Sequence, residues 1–481
     1  MDPMDFVVYV SVLFVVPALI LPFMSSILGK GRRHGPLIVI FGVTLCGLML
    51  MATIMPTLSE TIAEPKGPFV LDWFGVIIAV AAMLSVLIVA LGLDVKDGGE
   101  IFSSMMLFSL TGTVLLCLAA DVSVIIAGWA LISVTGYALA AVMKDPNSLR
   151  NSIKYAIMGG IAAQFLVIAF LFLFMTTGNF SLLPEIGSPF FLLASLIFLL
   201  VAVGFKTGVA PFHMWLPDVY GYADPIAVAA LSSVTKLGAI AVIVRATYYY
   251  LSSSGIQHAQ VVVAAMALVA TISMFVGNLG ALTQRNVQRM MAYSSIAHMG
   301  YILIALAVIP VALYVGEESS LYMAIAGVML HVIAYALAKA GIFTSIDMLS
   351  DPRRGPLIER FDGLGARNPA SAAAISILLL NFIGVPPLPG FWSKLLLFAS
   401  AANSNLPGLV VSGIPWLTLV GILNSVISVF YYAKVMIAMY WKPSKITERY
   451  AVLTRVAMAF SAVLLIAIGI FVAPLLASII M

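Results

Sequence analysis

Charges, prolines and glycines cut this chain into fourteen long apolar runs, and no other property narrows its fold so far. The runs lie near 6–26, 37–55, 72–93, 102–120, 122–143, 152–176, 189–214, 225–250, 260–282, 291–314, 320–347, 371–402, 413–440 and 454–480, and are numbered segments 1 to 14 in chain order. A membrane-crossing helix takes about 20 apolar residues, so fourteen use roughly 280 and leave about 200 for connections. The 481 residues therefore fit a large helical bundle with no sizeable soluble domain. Composition agrees, with 62% of residues hydrophobic and 9% charged, where a soluble domain runs to roughly half and a quarter. Disorder needs far less apolar content, and β-barrel strands alternate where these runs are unbroken. The expected fold is an all-α polytopic membrane protein.

A formal net charge of +4, without basic patches interleaved with aromatics, gives no reason to expect nucleic acid as a partner. Cys46 and Cys117 both lie in apolar runs and suggest neither a disulfide framework nor a metal site. Without a Cys or His cluster, the chain is expected to carry no cofactor or redox group of its own. Asp2 and Asp5 precede the first basic residue, Lys30, so the first run is expected to stay as a helix rather than act as a signal peptide. Orientation follows from the loops. One alternating set holds seventeen basic residues: Lys30, Arg32, Arg33, Lys96, Lys144, Arg150, Lys154, Arg285, Arg289, Arg353, Arg354, Arg360, Arg367, Lys442, Lys445, Arg449 and Arg455. The opposite set holds Lys66, with Arg245 near a helix end, alongside Glu60, Glu64, Glu185, Glu317 and Glu318. Basic loops stay on the cytoplasmic side, so an even number of helices with both termini outside a cell membrane is expected.

Four lysines, Lys206, Lys236, Lys339 and Lys394, remain inside apolar segments once loop charges are set aside. A lysine at the bilayer centre costs roughly 2.5–3.5 kcal/mol on insertion scales, and snorkelling to an interface is least available to Lys206, Lys236 and Lys394, which sit well inside their segments. Desolvation works against the charged form of an amine, so a row of lysines linked by water and hydroxyls can store and pass protons. Lys206 precedes Gly208 and Pro211; Lys394 follows Pro386, Pro387, Pro389 and Gly390. Prolines free backbone carbonyls that are tolerated at membrane depth only beside protein or water, and an interrupted helix carrying an ionisable group is a recurrent ion-path arrangement. His331, Tyr335 and Lys339 are spaced i, i+4, i+8 along one side of segment 11. His298 in segment 10 and His213 just after the first interruption extend the set, since histidine titrates near neutrality. Gly208-Val209-Ala210-Pro211 resembles Gly384-Val385-Pro386-Pro387, each followed by Trp215 or Trp392. A spacing of five segments would invert the second unit. The expected organisation is 1–101 with three helices, repeats over 102–258 and 259–442, and a last helix over 443–481.

These residues also carry a family likeness. Phe205-Lys206-Thr207-Gly208, Pro211-Phe212-His213-Met214-Trp215-Leu216-Pro217-Asp218 and Val234-Thr235-Lys236 resemble the antiporter-like membrane subunits of respiratory complex I, as do Gln284-Arg285-Asn286, Met290 through His298, and Gly384 through Lys394. The same family serves membrane-bound hydrogenases, related archaeal complexes and multi-subunit cation/proton antiporters. Its fold has fourteen helices, in agreement with the count above. The L-type carries a long lateral helix that this chain lacks, and the M-type replaces the twelfth-helix lysine by glutamate, so Lys394 favours the N- or D-type. In the family, the seventh-helix lysine pairs with a fifth-helix glutamate. Gly128-Trp129-Ala130-Leu131-Ile132-Ser133 aligns with that motif and puts Ala130 in the glutamate's place.

The resemblance implies a proton- or Na⁺-translocating subunit of a redox-driven complex, with Lys206, Lys236, Lys339 and Lys394 as its central row. The implied partners are other membrane subunits, a hydrophilic redox arm reached through them, and the lipid bilayer. One alternative is a subunit of a multi-protein Na⁺/H⁺ antiporter without redox partners. Another is a non-translocating spacer, which the missing glutamate favours and the four lysines oppose. A stand-alone solute transporter is the weakest reading, for want of a substrate-sized polar cluster.

Overall fold

The computed structural model describes residues 3–23, 35–65, 67–93, 99–142, 144–183, 188–253, 259–350, 356–403, 405–443 and 452–472. Lys30, Arg32, Arg33, Lys66, Lys96, Glu185, Arg353, Arg354, Lys445 and Arg449, which enter the loop count, lie outside the described residues. Thirteen helices are long and apolar enough to cross a membrane, and the shorter apolar helix Pro369–Ile383 occupies segment 12. The expected all-α polytopic fold is what the chain adopts.

Local chemistry sets the ends of these helices. Asp72, Asp121, Asp145, Asn286 and Asn368 each accept a hydrogen bond from a backbone N–H of the first turn that follows, which satisfies donors that a helix start leaves free. Segment 7 runs Pro189–Thr207 and stops at Gly208, whose φ of 80° is the left-handed conformation that glycine adopts without a side-chain clash. A short helix, Leu216–Tyr222, resumes the chain. Segment 12 is interrupted in the same way, Pro369–Ile383 ending at Gly384 with φ 89° and Pro389–Ser400 following. Both interruptions fall where proline and glycine forecast them.

A third interruption was not legible. Segment 8 divides into Pro225–Ser233 and Thr235–Ser253 around Val234. Ser233 and Thr235 turn their hydroxyls back onto Ala229 O and Leu231 O at 2.6 and 2.7 Å, and Thr113 Oγ1 reaches Val234 O at 3.3 Å. Side-chain hydroxyls that compete for helix carbonyls bend the ladder locally, with no proline to announce it.

Segments 8, 10 and 11 are almost wholly enclosed, segments 3 and 4 largely so, and segments 1, 2, 6, 13 and 14 form the outer wall. Lys236 and Lys339 thus lie on segments shielded from lipid, as the cost of an intramembrane charge requires. Loops sort into two faces. On one, Asp218 pairs with both Lys154 and Arg289, Val287 N donates to Pro356 O, and Ile358 N donates to Arg285 O. On the other, Val70 N reaches Leu118 O, Val122 N reaches Phe180 O, and Asn403 and Asn405 donate to Glu317. Alternate connections share a face, as an unbroken series of spans demands.

Candidate functional site

Each of the four lysines is at most 5% exposed. Among the described residues none has a carboxylate partner; their ammonium groups meet carbonyls, hydroxyls and aromatic faces instead. Two of them sit at the helix interruptions. Lys236 Nζ donates to Thr207 O at 2.9 Å, the last carbonyl of the first half of segment 7. Lys394 Nζ donates to Phe382 O and Ile383 O at 2.8 and 2.9 Å, the end of the first half of segment 12, and to Ser425 Oγ at 2.9 Å. Carbonyls at a helix C-terminus are unsatisfied and carry the negative end of the macrodipole, which favours a cation by up to about 2 kcal/mol in partly buried geometry. Other donors complete the interruptions. Trp215 Nε1 binds Phe205 O at 2.9 Å, Ala210 N binds Ser273 Oγ at 3.0 Å, and Gly390 N binds Asn381 Oδ1 at 2.9 Å. Gly390 admits no larger residue, because a Cβ there would stand 1.9 Å from Asn381 O.

Lys206 is held differently. Its Nζ donates to Ser133 Oγ at 3.0 Å and Ile132 O at 3.3 Å, inside three rings, Trp129, Tyr137 and Tyr155, at 5.7–5.8 Å. A cation within about 6 Å of an aromatic face gains roughly 0.5–2 kcal/mol. Ala130 lies on the exposed outer face of segment 5 with Ile126 and Val134, the latter two 45% and 66% exposed.

Lys339 opens a continuous buried run. Its Nζ donates to Met291 O at 2.7 Å and Ser294 Oγ at 3.1 Å. Ser294 Oγ meets Tyr432 Oη at 2.6 Å, and Tyr432 Oη meets His298 Nε2 at 3.3 Å. His298 Nδ1 meets His331 Nε2 at 3.1 Å, and His331 Nδ1 meets Ser393 Oγ at 3.0 Å, next in sequence to Lys394. Between Lys339 and Lys236 stand aromatic rings: Lys339 lies 5.8 Å from the Phe343 ring, Phe343 is edge-on to Tyr220 at 5.8 Å, and Lys236 lies 5.3 Å from the Tyr220 ring.

The structure therefore joins Lys339 to His298 through Ser294 and Tyr432, joins His298 directly to His331, and ends the run at Ser393, the sequence neighbour of Lys394. Lys206 and Lys236 occupy neighbouring pockets in their own hydrogen-bond sets. His213 is half-buried in the segment-7 interruption, and no side-chain hydrogen bond ties it to the row among the described residues. Tyr335 turns its ring rather than its hydroxyl toward Lys339, at 5.5 Å. Sequence reading missed Ser294, Tyr432 and Ser393, because single hydroxyls in apolar helices carry no spacing signal. It also placed Arg245 near a helix end. Arg245 is instead fully buried inside segment 8, paired with Asp72 at 2.8 Å and donating to Cys117 O. Lys434, a fifth lysine within a segment, is exposed and reaches Gln284 O at 3.2 Å near a loop, which is snorkelling.

Among the described residues, thirteen membrane-length helices and a shorter apolar one, two of these stopped at a left-handed glycine with a buried amine on the freed carbonyls, define the antiporter-like class of membrane protein. The chain belongs to the family described as NADH:quinone oxidoreductase/Mrp antiporter, transmembrane, which matches residues 119–420. NADH-quinone oxidoreductase subunit N of Myxococcus xanthus is 31% identical over 480 residues, covering 90% of this chain and 88% of that protein. A chain of respiratory complex I from Thermus thermophilus superimposes with TM-score 0.78 at 27% identity, covering 97% of this chain and 98% of that one. A chain of the membrane-bound sulfane sulfur reductase, an archaeal respiratory complex, shares the fold with TM-score 0.83 at 22% identity, covering 98% and 95%.

Proposed function

We propose that this chain is a proton-translocating subunit of a redox-driven membrane complex whose electron transfer takes place in companion subunits. The observation that carries the reading is the buried run from Lys339 through Ser294, Tyr432, His298 and His331 to Ser393. Its hydrogen bonds have one consistent sense. Ser393 Oγ donates to Gly390 O at 3.1 Å, so it accepts from His331 Nδ1–H. A neutral imidazole then accepts at Nε2, which makes His298 Nδ1 a donor and His298 Nε2 the acceptor of the Tyr432 proton. Lys339, which as an ammonium only donates, gives to Ser294, which gives to Tyr432. Within the run every donor points from Lys339 toward Ser393, so a proton entering at Lys339 shifts protons toward Ser393.

The same chemistry favours H⁺ over Na⁺. A hard cation needs several oxygen ligands, usually including carboxylates, and the row is built from amines and imidazoles. The single buried acid among the described residues, Asp72, is already bound to Arg245. The names of the complex I and sulfane sulfur reductase relatives support a redox-driven setting, and the sorted loop faces support both termini outside. Water bridging the unpartnered Tyr220 hydroxyl would extend the row to Lys236.

The test is pumping by the native complex in sealed vesicles with its companion subunits identified. Lys394→Ala should abolish most proton uptake while the complex still assembles. Wild-type pumping at an unchanged redox rate would remove Lys394 from the mechanism, and purification without any redox subunit would favour the antiporter reading.

A further inference from the structure

A groove of about 490 Å³ opens on the basic face between the start of segment 6, Pro146–Thr177, and the short helix Leu216–Tyr222. Along segment 6 its lining changes character in order. Asn147, Arg150, Asn151 and Lys154 occupy the first turns, and Ile157 and Met158 follow. At 1.5 Å per residue the four donors span about 10 Å, comparable to the headgroup layer on one side of a bilayer, after which the hydrocarbon begins. Ile153 and Ile157, 60% and 61% exposed, carry an apolar strip from the groove along the outer wall.

The charges in and beside the groove do not cancel. Lys154 and Arg289 share one carboxylate, Asp218. Arg150 is exposed and makes no ion pair among the described residues. Arg289 Nε is buried without an acceptor. In the lining two cations, Arg150 and Lys154, thus face one anion, Asp218, and the amides of Asn147 and Asn151 flank them, with Asn151 Nδ2 turned onto Asn147 O.

We infer that this groove is a binding site for an anionic phospholipid. The phosphodiester lies against Arg150 and Lys154, and an acyl chain runs down Ile153 and Ile157. A zwitterionic lipid brings its own cation into a groove that already has an excess of them, and free phosphate leaves the apolar strip unused. Basic pockets at the cytoplasmic ends of transmembrane helices bind anionic headgroups for these reasons. The lipid would also compete with Asp218 for Lys154, leaving the carboxylate to Arg289 at the base of segment 10, the helix that carries Ser294 and His298.

Native mass spectrometry of the intact complex tests this after detergent washing and re-addition of phosphatidylglycerol, phosphatidylcholine or inorganic phosphate. The variant is Arg150→Gln, which breaks no ion pair, and Arg455→Gln serves as a control elsewhere. Retention of phosphatidylglycerol should fall about fivefold in Arg150→Gln, as expected for one basic residue at a membrane surface, and stay unchanged in the control. A photo-reactive side chain at Ile153 should capture lipid. Equal retention in wild type and Arg150→Gln, equal binding of phosphatidylcholine, displacement of the lipid by inorganic phosphate, or capture of a neighbouring subunit at Ile153 would each overturn the proposal.

Discussion

Replacing Tyr432 by phenylalanine removes one oxygen from the middle of the buried run and nothing else. The ring stays where it packs, stacked on Phe382 at 5.6 Å and against Tyr431 at 4.3 Å. Two partners lose their contact, since the hydroxyl accepts from Ser294 and donates to His298. His298 Nε2 is then a buried acceptor without a donor, at a cost of about 1–3 kcal/mol. If that cost falls on the transfer step, the rate drops roughly 5- to 150-fold. The assay is proton uptake per redox turnover in vesicles containing the assembled complex, read against Tyr431→Phe. Tyr431 donates to Asn278 Oδ1 at 3.1 Å, and its hydroxyl borders Ser294 and Tyr432 without being the link between them. Tyr432→Phe should uncouple strongly and Tyr431→Phe weakly. Equal pumping by Tyr432→Phe and wild type would show that protons do not pass through this hydroxyl, and the directional run would lose its functional meaning.

Lys206→Ala should reduce pumping less than Lys394→Ala in matched vesicles, because Lys206 is caged in a pocket of its own while Lys394 follows Ser393, the end of the run; the reverse ranking would show the N-terminal half to be the active one. Arg245→Met should destabilise the folded chain by about 3–5 kcal/mol, since it strands Asp72 as an uncompensated buried charge. Asp72→Asn combined with Arg245→Met should recover much of that loss. A melt of the purified complex distinguishes them, and equal melting of the single and double variants would mean that the pair contributes nothing.

The helix count, the two proline-marked interruptions and the intramembrane lysines could be read from the chain because each depends on local chemistry: apolar length, ring constraint, the cost of a charge in hydrocarbon. What could not be read depends on which helices meet. Asp72 and Arg245 are 173 residues apart and look like loop charges until segments 3 and 8 are packed together. Tyr432 becomes a bridge only because segment 13 places it against segment 10. The bend at Val234 escaped for another reason. Ser and Thr are common in ordinary membrane helices, so Ser232-Ser233 and Thr235 announce no interruption. Lys434 shows the converse: an apolar stretch holding a lysine did not make a buried lysine, because the segment lies on the outer wall with a loop within reach.

The absence of carboxylates from the row has a mechanical consequence. An amine bound to a carboxylate can be switched by moving the partner away, since a unit charge is gained or lost over a few ångströms. An amine bound to helix-end carbonyls or aromatic rings has fixed partial charges around it, and these move only if the helix moves. Lys394 and Lys236 rest on the carbonyls that end the first halves of segments 12 and 7, where the backbone is already divided and one half can shift against the other. Lys206 rests on the interior of segment 5, an uninterrupted helix, and its rings are packed among themselves, with Tyr155 stacked on Trp215 at 4.3 Å. On the proposed function, the interruptions of segments 7 and 12 are where conformational change in a companion subunit would alter an amine's surroundings. On the proposed function Lys206, held by Ser133 and Ile132 O, would be a fixed charge site rather than a switch.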